Sequence, residues 1–169
     1  ERVVFRSGRA RYGLPWYLGR SSSMINRSRP AFFWGVQGLL PMGLSAGIPA
    51  VVTLHDCVHL RGREFAPSLL YNWLHRLLLP RSLRKARHVL TISRFVAEEI
   101  RHHYRIPPEK VTVIQLGVGK VFQEAGRNMQ NAAGVLGRYQ IEGPYVLGVG
   151  SLEPRKNLVT LLRAFRLLP

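Results

Sequence analysis

Compact apolar runs and longer periodic stretches alternate along most of this chain. Ala31 to Trp34 and Ala50 to Leu54 are short apolar runs separated by a loop rich in glycine and proline, and each reads as a buried strand. Leu69, Leu70, Trp73, Leu74, Leu77 and Leu78 fall on one helical stripe, which Pro80 punctuates before a basic continuation through Arg81, Arg84 and Lys85. A strand is expected over His88 to Ile92. Ser93 is a fitting N-cap for the next helix, whose Val96 and Ile100 share a face and which Pro107 and Pro108 stop. Val111 to Leu116 is a β-branched run that reads as a strand, broken by Gly117 and Gly119. Gln123 to Gly143 is polar and glycine-containing, with at most a short helix near Ala132 to Tyr139, and reads as a connection. Tyr145 to Val149 reads as a further strand, and Asn157 to Leu168 as an amphipathic helix carrying Leu158, Leu161, Leu162 and Phe165.

Strands and helices in alternation argue for a mostly parallel, doubly wound α/β sheet of Rossmann-like type. Such sheets bind ligands at the carboxyl ends of their strands, so the residues just past each strand are where chemistry is sought. The pattern contains no internal repeat of the kind that builds a solenoid.

At 169 residues the chain is long enough for one domain with a substantial core or for pieces of two, and its 46% hydrophobic content supports folding. A formal charge of +16, carried almost entirely by scattered arginines, raises nucleic acid, anionic lipid or a phosphorylated substrate as partner. No basic stripe with interleaved aromatics is present, so nucleic acid is not the expected partner. Cys57 is the sole cysteine, which excludes an intrachain disulfide framework and any multi-cysteine metal site, and fits a reducing, cytoplasmic compartment. Pro30 to Leu54 carries no charged side chain, yet its glycines and prolines argue against a spanning helix and for strand, loop and strand.

Two places carry candidate chemistry. The first follows Val51-Val52-Thr53-Leu54, where the strand runs into His55-Asp56, and Asp56 is the only aspartate in the chain. A carboxylate beside an imidazole can tune a histidine that meets a phosphate or hydroxyl. Alternatively Asp56 caps the following turn and His55 satisfies a core hydrogen bond. His59 stands four residues beyond His55, but no third ligand accompanies the pair, so no metal is expected. The second place is Gly148-Val149-Gly150-Ser151-Leu152-Glu153-Pro154-Arg155-Lys156-Asn157, between the last expected strand and helix. Gly150 permits close approach of a ligand. Arg155 and Lys156 lie near a helix N-terminus, where the macrodipole disfavours cations unless an anion accompanies them, so a phosphate or diphosphate site is one reading and a surface pair partnered by Glu153 the other.

These residues also carry a resemblance. Val-Thr-Leu-His-Asp at 52–56 in its strand, Val-Leu-Thr-Ile-Ser-Arg-Phe at 89–95, Ile-Pro-Pro-Glu-Lys-Val at 106–111 and Gly-Ser-Leu-Glu-Pro-Arg-Lys-Asn-Leu at 150–158 occur in order. Together they resemble glycosyltransferase family 4, particularly its bacterial mannosyltransferase-like members. Phe33-Trp34-Gly35 followed by Leu39-Leu40-Pro41 looks like the loop that precedes the His-Asp strand in that subgroup. The likeness spans residues 30 to 168, with two departures: Ser151 stands where many members have arginine, and Leu116-Gly117-Val118-Gly119 replaces an Asn-Gly-Val-Asp turn.

The resemblance implies a GT-B architecture, two Rossmann-like domains facing a cleft, of which residues 1–122 are part of the acceptor-side domain, 123–143 the connection and 144–169 the start of the nucleotide-sugar-binding domain. It implies metal-independent transfer of a hexose such as mannose, with retention, from a nucleotide-diphosphate sugar to a glycan or lipid-linked acceptor, with no cofactor. His55 and Asp56 would then be catalytic, and Arg155 and Lys156 with Gly150 and Ser151 would hold the donor diphosphate. The family's glycine-rich loop upstream and its glutamate pair downstream have no counterpart here, so the chain reads as an internal fragment, inactive in isolation. Peripheral contact with anionic lipid at the inner face of the cell membrane, through the Trp73 helix and the Arg81 to Arg87 cluster, is the accompanying expectation.

Overall fold

The computed structural model describes residues 13–61, 69–127 and 132–168. They divide into two compact units, Glu1–Gln115 and Leu116–Pro169.

The first unit is built on four strands, β1 (Phe33–Gly35), β2 (Ala50–Leu54), β3 (His88–Thr91) and β4 (Val111–Val113), all parallel and in the order β1-β2-β3-β4. This is the expected Rossmann-like parallel α/β sheet. It advances in one direction across these strands, so the reversal of order that makes a sheet doubly wound is not among them. Strand lengths are set by partners rather than by local sequence. β1 begins at Phe33 instead of Ala31, because the Phe33 amide bonds the Pro49 carbonyl at the threshold of β2. β4 ends at Val113 instead of Leu116, because only the Ile114 amide still finds the Thr91 carbonyl before the neighbouring chain turns into a helix.

That helix is α4 (Arg94–Tyr104). Ser93 caps it as expected, its Oγ accepting from the Val96 amide at 3.2 Å, and Val96, Ile100 and Tyr104 recur at four-residue spacing on its buried side. Register places Gly35, Val52, Val89 and Val111 on one sheet face, all buried, together with Leu54 and Thr91. The opposite face carries Trp34, Val51, His88, Leu90 and Thr112, each exposed or half-buried, together with the buried Thr53.

The long helix α3 (Leu69–Lys85) supplies Leu79, Leu83 and Ala86, just past its end, to the core. One expectation is corrected here, and one observation runs against the usual rule. Pro80 does not interrupt the helix: its missing N–H and crowding ring cost about 3 kcal/mol, while complete burial of Leu79 and Leu83 contributes about 2 kcal/mol each. Also, a leucine-rich stripe ordinarily faces a core, yet Leu69, Leu70, Trp73 and Leu77 are exposed, and Asn72 and His75 take the inner side. Two short helices that periodicity did not announce, α1 (Gly13–Leu18) and α2 (Ser21–Ser28), are laced to the 39–45 loop by polar contacts. The Met42 amide donates to the Leu18 carbonyl at 2.8 Å, and Asn26 bonds Gly43 and Ser45 through both ends of its amide.

The second unit consists of α5 (Lys120–Arg127), α6 (Ala132–Arg138) and α7 (Leu158–Phe165), with a 3₁₀ turn at Pro154–Lys156. α5 overlaps the start of the stretch read as polar connection, Gln123 to Gly143. Tyr145 to Val149 forms no strand, which corrects that expectation: a strand exists through its ladder, and no described segment of residues 116–168 lies extended beside it.

Candidate functional site

The carboxyl end of β2 is where the first unit can meet a ligand. Two glycines bring the loop after β1 against it. A Cβ on Gly35 would lie 2.8 Å from the Leu39 carbonyl oxygen, and Gly38 has φ +79° with a Cβ position 2.9 Å from Leu54 Cδ1, so neither place admits another residue without displacement. The loop's Val36 carbonyl then stands 3.1 Å from His55 Nε2. A carbonyl only accepts, so Nε2 carries the proton, and in the neutral ring Nδ1 is left as the acceptor. Nδ1 has no hydrogen-bond partner among the described residues, and the side chain is exposed. His55 can therefore receive a proton or a hydroxyl hydrogen while its tilt is held from behind.

Asp56 is used differently. Its Oδ1 accepts from the Val58 amide at 3.1 Å and caps a 3₁₀ turn at Val58–Leu60. No hydrogen bond joins it to His55 among the described residues, in keeping with neighbouring side chains pointing apart on extended chain.

The turn sends His59 inward. It is fully buried between α3 and α4, where its Nε2 meets the Tyr104 hydroxyl and its ring centroid lies 5.8 Å from that of His75. Burial, reinforced by the positive charge His75 can carry, lowers its pKa to about 4, so it is a neutral packing group. Desolvation likewise raises Tyr104, and lifts the buried Cys57 thiol to about 12, assisted by Glu99 and Asp56. Arg76 Nε donates to the His59 carbonyl at 3.2 Å, and Arg61 pairs with Glu99 at 2.8 Å. The segment carrying His55 is thus clamped to both helices. With His55 outside and His59 inside, the two do not converge, and among the described residues no group of three or more His, Cys, Asp or Glu is placed to hold a metal ion.

Next to His55 opens a cleft of about 450 Å³ lined by Leu14, Tyr17, Trp34, Val36, Gln37 and His75. The Trp34 indole donates to Thr53 Oγ1 at 2.9 Å and the Tyr17 hydroxyl to the Leu39 carbonyl at 2.8 Å, so both polar tips are tied back. Val36 belongs to the cleft wall and, through its carbonyl, holds the imidazole. Sequence reasoning passed over Tyr17 and Gln37 and met Trp34 only within the Phe33-Trp34-Gly35 run; a tryptophan beside glycines just before the His-Asp strand was the available signal.

The other candidates lie in the second unit. Gly150 has open space where a Cβ would stand, and Ser151 Oγ donates to Glu153 Oε1 at 2.7 Å. Arg155 and Lys156 belong to the 3₁₀ turn, and Asn157, left-handed at φ 50°, joins it to the first turn of α7. The Lys156 side chain is exposed, that of Arg155 lies outside the described residues, and the Lys156 amide is engaged by the Glu153 carbonyl at 2.9 Å.

Similar proteins place this architecture. The chain is 31% identical over 121 residues to O-antigen chain mannosyltransferase B of Escherichia coli, covering 71% of this chain and 31% of that protein. It is 28% identical over 112 residues to O-antigen chain mannosyltransferase RfbU of Salmonella typhimurium, covering 66% and 27%, and 25% identical over 122 residues to the serotype-specific mannosyltransferase WbdA of E. coli, covering 70% and 15%. The chain thus spans about a third or less of the length of these relatives. The sequence profile of Glycosyltransferase Family 4 matches residues 1–119, a stretch that contains the β2 end with His55 and Asp56 and stops short of the 150–156 turn. With a parallel sheet, its ligand-facing strand end and this match in agreement, the chain belongs to glycosyltransferase family 4.

Proposed function

We propose that this chain is part of a retaining, metal-independent hexosyltransferase that moves a hexose, mannose by the names of its relatives, from a nucleotide-diphosphate sugar to a glycan or lipid-linked acceptor at the cytoplasmic face of a membrane. The observation that carries the reading is His55: exposed at the carboxyl end of β2, ring held through Nε2, Nδ1 presented. In this reading the imidazole faces the donor sugar and the attacking hydroxyl, and Asp56 holds the turn that carries it.

Cleavage of the bond from the anomeric carbon to the diphosphate leaves negative charge on the leaving group. Arg155 and Lys156, with Gly150 and Ser151 giving close backbone approach, meet that charge. Cations placed where charge develops stabilise the transition state more than the ground state, and removing one well-aimed group costs about 10² to 10³ in rate. Residues 1–122 then serve the acceptor side and 144–169 begin the donor side, with 123–143 between them. The 169 residues by themselves are expected to bind no nucleotide sugar tightly and to turn none over.

The test is transfer from nucleoside-diphosphate hexoses by a polypeptide of the relatives' length that carries this segment. His55→Ala and Lys156→Ala are each expected to lower kcat about 10² to 10³-fold. Unchanged turnover in Lys156→Ala removes the diphosphate role, and detectable transfer by the 169 residues alone removes the fragment reading.

A further inference from the structure

Away from the ligand-facing strand ends, the first unit gathers positive charge around a hollow. Arg84 stands in the last turn of α3, ahead of β3, and Lys110 immediately precedes β4. In a parallel sheet both therefore lie at the amino edge, opposite the carboxyl end of β2 that carries His55. A pocket of about 520 Å³ opens here, walled by Arg84, His103, Arg105 and Lys110 with Ile106 and Pro107 beside them.

The cations are placed by the backbone and short of partners. Lys110 Nζ donates to the Arg84 carbonyl at 2.7 Å, which fixes the ammonium and leaves two of its three hydrogens for a ligand. Arg105 closes α4 in the left-handed region at φ 54°, its amide donating to the Arg101 carbonyl at 3.0 Å. Glycine takes that conformation freely and is the usual residue at such a cap, whereas here an arginine accepts the strain and lines the pocket. No carboxylate pairs with Arg84, Arg105 or Lys110 among the described residues. Glu109 adjoins Lys110 in sequence but is exposed and outside the wall. Partial burial lowers the pKa of the Lys110 ammonium.

Helix ends account for part of this charge. α3 and α4 both finish at the pocket, and each C-terminus carries about half a negative charge, so three cations leave an excess of about two. A phosphate monoester, with a charge of about −1.5 to −2 near neutral pH, is the matching anion. Guanidinium forks and an ammonium are the donors that phosphate oxygens select, and His103 adds an N–H in either protonation state. The pocket is larger than one phosphate, which leaves room for the ester's organic part against Ile106 and Pro107.

We propose that this pocket binds a soluble phosphate monoester, with Arg84, Arg105 and Lys110 gripping the phosphate. Because it lies at the far edge of the sheet from His55, its ligand does not compete with whatever occupies the β2 end. The assignment does not rest on the transfer reading.

The test is calorimetric titration of the whole chain with inorganic phosphate and with glucose 6-phosphate at fixed ionic strength. Saturable one-to-one binding is expected, with the ester at least as tight as inorganic phosphate. Arg84→Gln and Arg105→Gly are each expected to weaken it about tenfold. Arg105→Gly is also expected to keep or raise the parental Tm, because glycine suits the left-handed cap and the loss of affinity then has no structural cause. Arg27→Gln/Arg94→Gln removes two exposed charges elsewhere on the same unit and is expected to leave affinity unchanged. Binding that never saturates, full affinity in Arg105→Gly, or an equal loss in the Arg27/Arg94 variant overturns the proposal. So does binding of dihexanoyl phosphatidic acid together with indifference to glucose 6-phosphate, because the pocket then takes a lipid head group.

Discussion

His59 shows what one buried imidazole does to a fold. Between α3 and α4 it has traded water for Tyr104 and His75, and its pKa falls to about 4. In the unfolded chain the same ring takes a proton near pH 6.5. Between those values the unfolded state binds more protons, so stability falls as pH drops through that window and is fully present above it. The span corresponds to about 3 kcal/mol. Urea denaturation at pH 7 and pH 4.5 is expected to show this loss, and His59→Leu to flatten it; an equal slope in the variant assigns the acid sensitivity elsewhere. His55, by contrast, draws its interest from exposure and from one hydrogen bond. Sequence alone offered both readings of the His-Asp pair. The structure gives Asp56 a capping bond, while the identity of His55's partner, a carbonyl nineteen residues upstream, was invisible locally because it depends on how the β1 loop folds back.

Elements were legible in proportion to how locally they are determined. β2, β3 and α4 were readable because apolar runs, a serine cap and paired prolines fix them within a few residues. β1 and β4 shifted because pairing, not propensity, sets their limits. The α1 and α2 helices, 6 and 8 residues long, escaped notice because they are too short for an apolar stripe to stand out: Leu18 and Ile25 reach the core, and Asn26 and Ser22 side chains hold α2 to the loop. The α3 stripe was seen without a side being assigned to it, since periodicity reports a face without reporting what it touches. At this scale the tightest constraint is Gly35. Alanine there would press its Cβ to 2.8 Å from backbone and 3.1 Å from Leu40 Cδ2, so Gly35→Ala is expected to cost about 1–3 kcal/mol and to disturb the Val36 carbonyl. Thermal denaturation measures the cost, and the NMR chemical shifts of the His55 ring report the disturbance. A variant with parental Tm and unmoved His55 ring shifts denies the glycine its role.

Over the whole molecule, burial is unevenly shared. The first unit owns every buried residue described, while among the described residues of the second none is buried. Local opening free energies follow buried apolar contact, so hydrogen exchange is expected to protect β2, β3 and α4 strongly and α5 to α7 hardly at all; comparable protection in both units contradicts this. The same asymmetry bears on what the sequence could disclose. The order of motifs pointed to the family, and the match over residues 1–119 agrees, but the anticipated strand at Tyr145 to Val149 lacks the neighbours that would make it one. One face of the parallel sheet, with Trp34 and Thr112 exposed and Leu90 half-buried, is only partly covered among the described residues, whereas parallel sheets are ordinarily covered on both sides.

The bond between His55 and the Val36 carbonyl makes a lever. Val36 is at once a wall of the cleft and the tether of the imidazole, so whatever enters and pushes that wall must swing the ring or snap its tie. Filling the cavity and aiming the nitrogen are thereby coupled, because any displacement of the Val36 carbonyl alters the bond that sets where Nδ1 faces.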